Sequence, residues 1–489
     1  MSRAPVAFTS RSPRGKLDAK ILREAGILRD PSQPAQALER ARTLARHGRV
    51  REARSLIHPH MRRACGLDRA RMAELLARCA MAGAGGNWRE LLEEALRGYE
   101  ESGYLRGLSR TQRKLGEMLL SAGQLGDAEQ RLLKAKQAYE QLDNAEGAAL
   151  TRVLQARVYR RSGRLTEALA QADRAVTVLD ELGRTGSASL ARLERARLRA
   201  MRGDHLGAAH DLVDADHQLS AQGDATARMR ARLMRAEILL RQGGVDRVAT
   251  AMRRLVEDLG EIEDAHVRAW AHSLLGESLT LLDPQRARRE LARARHLYED
   301  LGHTYNVVSC DIHLVRVEHA LRLDPRPRLD ALARQSLEAW PLLAAELLVV
   351  RASLDLEPNG TKLREELLAA RRFALASGNR FLAKEVTRAL DATDALGEDS
   401  DALTPVQLPP EESTTHAALY RALSTGIDGQ PTRPERLERI ARTDDVGPRA
   451  RPVFAALLAS SVARSPIRAS LRRPMARSLS VASTDSRVA

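Results

Sequence analysis

Glycine recurs in this chain at an interval of 40 residues, and no other feature restricts the fold as strongly. The positions that share this interval are Gly123, Gly163, Gly203 and Gly243, with Asp283 and Pro284 at the next one. Residues of this kind end a helix and begin a turn. A fixed interval of this length predicts a repeat architecture in which each unit packs mainly on its neighbours.

Small residues follow the same interval on both sides of each turn. Seven residues before it are Gly116, Ala156, Ala196, Ala236 and Gly276; five residues after it are Ala128, Ala168 and Ala208, with Val248 fourth; seven further on are Ala135, Ala175 and Ala215, with Leu255 as the exception. A position that stays small within a helix is where a second helix crosses closely. The pattern therefore predicts pairs of tightly packed helices.

A third series marks the joints between successive pairs. It comprises Ser102-Gly103, Leu142-Asp143, Leu182-Gly183, Gln222-Gly223, Leu259-Gly260 and Leu301-Gly302. Glycine and aspartate tolerate the left-handed backbone conformation that ends a helix, so each joint is predicted to be a C-cap.

Aromatic residues make up only 3% of the chain, and strands prefer such residues. The composition therefore favours helices over strands.

The order of small residue, glycine turn and two alanines resembles the tetratricopeptide repeat. The best copy is Leu115-Gly116, Leu119, Gly123, Ala128 and Ala135, and Tyr159, Gly163, Ala168 and Ala175 match nearly as well. The usual unit has about 34 residues, so this chain is similar to the longer-helix variant found in scaffold proteins and bacterial transcription regulators. The resemblance implies an all-α fold, a right-handed α-solenoid of helical hairpins.

The strength of the pattern divides the chain into five segments. We expect a basic N-terminal segment at 1–30, degenerate hairpins at 31–102, the core repeats at 103–302, degenerate repeats with capping helices at 303–396, and a linker with a mostly disordered basic tail at 397–489. In the second segment, Gly48 and Ala53 keep the spacing from turn to alanine. The estimated total is about seven to nine hairpins.

The excess of positive charge is concentrated at the two ends. Residues 1–30 contain seven Lys/Arg and three Asp/Glu, and residues 446–489 contain eight arginines and Asp485 alone, out of a net charge of +15. The long middle of the chain therefore reads as a surface of mixed charge. Association with nucleic acid is expected only through the arginine-rich tail.

The sequence contains no arrangement typical of an enzyme or of a cofactor site. Gly15-Lys16 lacks the flanking residues of a phosphate-binding loop, and no Gly-x-Ser-x-Gly motif is present. Cys310, His313 and His319 do not share one helix face, so no metal site is predicted. Three widely separated cysteines and the lack of an apolar leader or a long apolar stretch favour a cytoplasmic protein.

The resemblance implies that the first helix of each pair lines an inner, concave wall that binds partners. One residue past the small position, this wall carries Glu117, Arg157, Arg197, Glu237 and Glu277, and a basic patch adds Arg110, Arg113, Lys114, Arg160 and Arg161. Arginine forks suit carboxylates and phosphates, so an acidic segment is the sharper hypothesis. The alternative is that these arginines are ordinary solvated helix residues.

Three functions remain open from the sequence. The first is a non-catalytic scaffold that binds a protein or peptide on the concave face, without a membrane or a cofactor. The second is a sensor or regulatory module of a bacterial transcription-control system, which the resemblance suggests. The third is nucleic-acid association through the basic tail, which predicts a steep dependence on salt.

Overall fold

Every regular element in the described part of the chain is helical, and no strand occurs there. A computed structural model describes residues 34–47, 49–81, 87–222, 224–257, 259, 262, 264–335, 337–354 and 360–395. The segments expected at 1–30 and 397–489, and the turn residues Gly48, Gly223 and Gly260, lie outside these residues. The chain separates into two compact units, one drawn from Met1–Leu115 with Gln137–Leu142 and the other from Gly116–Lys136 with Asp143–Ala489.

The first unit contains four helices and the start of a fifth among its described residues. They are α1 (Pro34–Arg46), α2 (Val50–Ile57), a 3-10 turn (His58–His60), α3 (Gly66–Cys79), α4 (Trp88–Glu101) and most of α5 (Leu105–Ser121). Helices α3 and α4 cross closely, since a Cβ on Gly98 would stand 2.8 Å from the Cβ of Ala70. Small residues therefore mark a helix crossing here too.

The second unit contains the regular repeats. After α6 (Leu125–Gln141), which contributes to both units, its helices are α7 (Ala145–Arg161), α8 (Leu165–Glu181), α9 (Thr185–Met201), α10 (His205–Gln222), α11 (Ala225–Arg241), α12 (Val245–Glu257), α13 (Ala265–Leu279), α14 (Pro284–Asp300), α15 (Thr304–Ala320), α16 (Arg326–Ala333), α17 (Pro341–Ser353), α18 (Gly360–Ala376) and α19 (Arg380–Ala395). Consecutive helices pack in pairs from α7–α8 to α13–α14. The predicted all-α architecture of helical hairpins is confirmed.

The two glycine series adopt the backbone conformation expected of them. The turn residues have φ of 79° at Gly123, 79° at Gly163, 82° at Gly203 and 89° at Gly243, and the joint residues have 63° at Gly103, 51° at Asp143, 65° at Gly183 and 67° at Gly302. Asp283 differs, because its φ is −151° and its side chain instead accepts a hydrogen bond from the Arg286 N–H. It begins a helix rather than supplying the left-handed residue that ends one.

Polar caps explain where several first helices begin. The side chain of Asn144 accepts from the Gly147 N–H at 2.8 Å, and Asp224 accepts from the Ala227 N–H at 3.0 Å. Asp264 accepts from the backbone of both His266 and Val267. Because the first N–H groups of a helix lack partners within it, these side chains fix the start of α7, α11 and α13.

The small positions lie at helix crossings within the second unit. A Cβ on Gly116 would stand 2.7 Å from Leu132 Cγ, and one on Gly276 would stand 2.6 Å from Leu291 Cγ. Ala156 and Ala196, at the same position of other hairpins, are fully buried. The close helix packing inferred from the periodicity is therefore observed.

The C-terminal helices contact the turns of earlier hairpins, which the sequence did not predict. Trp340, at the start of α17, donates its indole Nε1–H to the Gly123 carbonyl at 2.7 Å. The ring of Phe373 covers Gly163, and the side chain of Arg380 covers Gly203. Helices α18 and α19 were expected only as terminal caps, yet they extend the core that includes Met201 of α9.

All three cysteines are free, with Cys79 and Cys310 buried and Cys65 exposed. Across the described helices, none combines the length and the apolar character that crossing a membrane requires.

Candidate partner-binding surface

Four charged residues occupy equivalent positions on successive first helices. We call Arg157 of α7, Arg197 of α9, Glu237 of α11 and Glu277 of α13 the first-helix row. Arg197 donates to Glu237 at 2.6 Å across one full repeat. Arg197 and Glu237 are therefore joined directly and are not isolated surface charges.

Glu194 connects the basic end of this row. Its carboxylate accepts from Arg160 Nε at 2.8 Å and from Arg157 Nε at 3.3 Å, and Arg197 Nη1 lies 3.9 Å away. Only 2% of the Glu194 side chain is exposed. Burial alone would raise the pKa of this carboxyl, but the three guanidiniums outweigh burial and lower the pKa to about 2.

Arg161 points into a different environment from Arg160. Its guanidinium donates to the Leu120 carbonyl at 2.6 Å and to Asn306 Oδ1 at 3.0 Å, and it stacks 4.2 Å from the centre of the Tyr305 ring. Burial, followed by the neighbouring Arg160 and Arg157, lowers the pKa of Arg161 to about 10. This arginine joins the helix ends of distant hairpins.

The acidic end of the row also contains aromatic residues. Trp270 of α13 donates its indole N–H to Glu237 at 3.1 Å, and Arg197 lies 5.2 Å from the centre of its ring. The Nε2 atom of His313 on α15 lies 3.7 Å from the Glu277 carboxylate. An indole and an imidazole therefore lie beside the two carboxylates of the row.

One further basic residue lies between the row and the C-terminal helices. Arg241 has Glu237 and Glu346 of α17 at 3.8 Å each, and it lies 5.4 Å from the centre of the Phe381 ring. Burial lowers the pKa of Arg241, but the two carboxylates raise it, and the pKa is raised overall. Arg241 links the first-helix row to helices α17 and α19.

Several members of this surface escaped the sequence reasoning. Glu194 and Arg241 lie three and four residues from a row member on the same helix, so helical spacing could have found them. Trp270, Tyr305 and Glu346 share neither the interval nor the position of the row. Their inclusion depends on contacts between distant hairpins.

The basic residues expected upstream have other surroundings. Arg110 donates to both carboxylate oxygens of Glu74 at 2.6 Å, and the Tyr99 hydroxyl donates to the same carboxylate at 2.6 Å. The Nε of Arg113 is buried without a hydrogen-bond partner among the described residues. Lys114 and Glu117 both make polar or electrostatic contacts. Arg110 thus pairs with a buried carboxylate of the first unit.

No set of three or more His, Cys, Asp or Glu side chains arranged to hold a metal ion occurs in the described ranges. Cys310, considered above for metal binding, is 3.9 Å from the Ser273 hydroxyl. Burial raises the pKa of its thiol to about 12, so it remains a neutral packing residue.

Comparison with known proteins supports the repeat assignment. Residues 107–181 match the family model of the tetratricopeptide repeat, which confirms the predicted resemblance over these residues. The chain is similar to the crystal structure of a Rap protein complexed with competence and sporulation factor, at 13% identity and a TM-score of 0.39, covering 75% of this chain and 99% of that one. Yeast Tom70 follows at 12% identity and a TM-score of 0.33, covering 92% and 99%. No curated protein sequence matches the chain.

Proposed function

We propose that this chain is a non-catalytic scaffold that binds a segment of a protein or peptide along the first-helix row. The observation that carries the proposal is the contact of Arg197 with Glu237, supported by Glu194 between Arg157 and Arg197. These contacts join the row positions of α7, α9 and α11 into one strip. Tetratricopeptide-type folds are typical of protein-interaction scaffolds.

The row is suited to recognition because it changes charge along its length. Its Arg157 end is basic, and its Glu277 end is acidic. Arg157 has 41% of its side chain exposed and Glu277 has 25%, so both ends are accessible from solvent. A partner segment whose charge order is opposite would be held in one register and direction.

The expected effect of reversing charge differs along the row. Arg197 is only 16% exposed and bonds to Glu237, so Arg197→Glu would disturb folding as well as binding. Arg157→Glu and Glu277→Lys change the accessible ends and therefore test recognition more directly. The matched control is Arg184→Glu, because Arg184 is 58% exposed and pairs with Glu146 away from the row.

The experiment begins with partners identified by affinity purification on the full chain, followed by titration of the purified partner segment. We expect Arg157→Glu and Glu277→Lys each to weaken binding by about tenfold or more, and Arg184→Glu to leave it within about twofold. Full affinity in both row variants would show that the partner does not use this surface.

The arginine-rich tail at 446–489 supports a second candidate function, nucleic-acid association. Eight arginines against one acidic residue would make such binding fall steeply with salt. Binding by this route is expected to vanish in a chain that ends at residue 445, whereas binding through the row is expected to persist. The remaining alternative is a sensor or regulatory module of a bacterial transcription-control system. For either role we propose a cytoplasmic location, which the free cysteines support.

A further inference from the structure

The α7 end of the surface carries more positive charge than its neighbours neutralise. Arg157, Arg160 and Arg161 lie within five consecutive residues of one helix end. Among the described residues, Glu194 is the one carboxylate that contacts Arg157 and Arg160, and Arg197 also approaches it. Arg161 donates only to neutral acceptors there, the Leu120 carbonyl and the Asn306 amide oxygen.

The rest of the surface carries no excess of positive charge, which makes the excess at the α7 end local. Arg197 pairs with Glu237 at 2.6 Å, and Arg241 lies between Glu237 and Glu346. Two guanidiniums thus share two carboxylates on α11 and α17. By contrast, the end of α7 has three guanidiniums and one nearby carboxylate, that of Glu194, which Arg157 and Arg160 contact.

The electrostatic consequences are visible in two neighbouring groups. Arg161 has a lowered pKa through burial and then through repulsion by Arg160 and Arg157. Burial, followed by His303 and then Arg157, lowers the pKa of His266 to about 3, although Asp264 opposes this. Burial is the larger cause for both groups, and the positive charge of Arg157 acts on each in the same direction.

Arg157 is the member of the cluster that a ligand can reach. Its side chain is 41% exposed, against 13% for Arg160. Its hydrogen bond to Glu194 uses Nε at 3.3 Å, so that contact does not occupy the two terminal amino groups. A guanidinium whose Nη atoms are accessible binds planar oxyanions in forked geometry.

We propose that Arg157, backed by Arg160 and Arg161, is an oxyanion site that receives a carboxylate or phosphate group of the partner segment. The inference rests on the proposed function and specifies the chemistry recognised at one end of the row. Carboxylate and phosphate groups both present two oxygens that accept from a guanidinium. An acidic side chain of the partner would supply the first group, and a phosphorylated side chain would supply the second. The forked hydrogen bonds of the guanidinium orient the bound oxyanion, while the excess positive charge of the cluster attracts it.

Inorganic phosphate is the first probe, with the thermal unfolding of the full chain as the readout. For each variant, the shift is the Tm in phosphate on the order of 50 mM minus the Tm in chloride of equal ionic strength. We expect this shift to be about 2 °C larger in the wild type and in Arg184→Gln than in Arg157→Gln. The difference between variants is decisive because phosphate also stabilises proteins through exclusion from their surfaces. Equal shifts in Arg157→Gln and the wild type would overturn the inference.

Two peptides of equal charge then identify the source of the oxyanion. One is rich in glutamate and the other contains phosphoserine. We expect the one that resembles the natural segment to lose about tenfold in affinity in Arg157→Gln, and to lose part of it in Arg157→Lys, which keeps the charge but not the fork. If neither peptide is weakened by Arg157→Gln, no oxyanion is held there.

The two proposals can fail separately. Partner binding that is abolished by Glu277→Lys but unchanged in Arg157→Gln would leave the row as a binding surface and remove the oxyanion site. Partner binding that survives both substitutions would contradict both. Circular dichroism of each variant establishes that the helices are retained.

Discussion

At the scale of single residues, the turn glycines meet two separate requirements. Gly163 has a φ of 79°, and the ring of Phe373 occupies the space that a Cβ would need. Gly183 has a φ of 65°, but no atom of the described residues lies within 4 Å of its Cβ position. A positive φ disfavours any residue with a Cβ, whereas the overlap with Phe373 is an additional steric cost.

This pair gives a direct stability prediction. Gly183→Ala is expected to destabilise by about 1 kcal/mol, the usual cost of a left-handed conformation. Gly163→Ala is expected to cost about 1–3 kcal/mol more, because Phe373 must move. Urea unfolding of both variants measures the difference. Equal midpoints would mean that Phe373 does not pack on this turn.

At the scale of helices, Trp340 supplies one of the contacts that attach α17 to the repeats, beside the apolar contacts of α17 with α15. Trp340 donates to the Gly123 carbonyl at 2.7 Å, and its ring stands edge-on to Tyr305 at 5.9 Å between centroids. Tyr305 in turn lies beneath Arg161. The position of α17 and the packing of the α7 end are therefore coupled through a stack of three side chains.

We expect Trp340→Phe to cost about 1 kcal/mol, since it removes the hydrogen bond and retains the ring. Trp340→Ala should cost about 3 kcal/mol, because the stack with Tyr305 is lost as well. Hydrogen exchange would show the loss as faster exchange in α17. Unchanged protection in Trp340→Ala would indicate that α17 is held by other contacts, such as those with α19.

At the scale of the whole molecule, buried titratable groups make stability depend on pH. The pKa of Glu194 is lowered from 4.5 to about 2, and that of His266 is lowered from 6.5 to about 3. In each case the unfolded chain binds a proton at a higher pH than the folded chain does. Stability is therefore full above pH 6.5 and falls as the pH drops through both intervals.

The prediction is a urea midpoint that is level near pH 7–8 and declines progressively in acid. His266→Gln should flatten the decline between pH 6.5 and pH 4.5, where Glu194 does not yet contribute, and should leave the loss from Glu194 below pH 4.5 in place. Urea midpoints measured at half-unit steps of pH test this. A decline of the same slope in His266→Gln would show that His266 is not held neutral by the fold.

The helical hairpins could be predicted because their requirements are local. A turn that needs a positive φ, and a crossing that admits no large side chain, restrict the residue type at Gly163 or Ala156. Such restrictions recur in successive units, so the same residue types reappear at an interval of 40 residues in the sequence. The positions of the first-helix row followed from the same interval.

The partners of the charged side chains were decided only by the tertiary structure. Arg161 and Asn306 are 145 residues apart, and Trp340 and Gly123 are 217 apart. An arginine has the same sequence signature whether it faces a carboxylate, as Arg160 does, or neutral acceptors, as Arg161 does. Which of these it meets depends on where distant hairpins come together, because electrostatic and hydrogen-bonding contacts act through space and not along the chain.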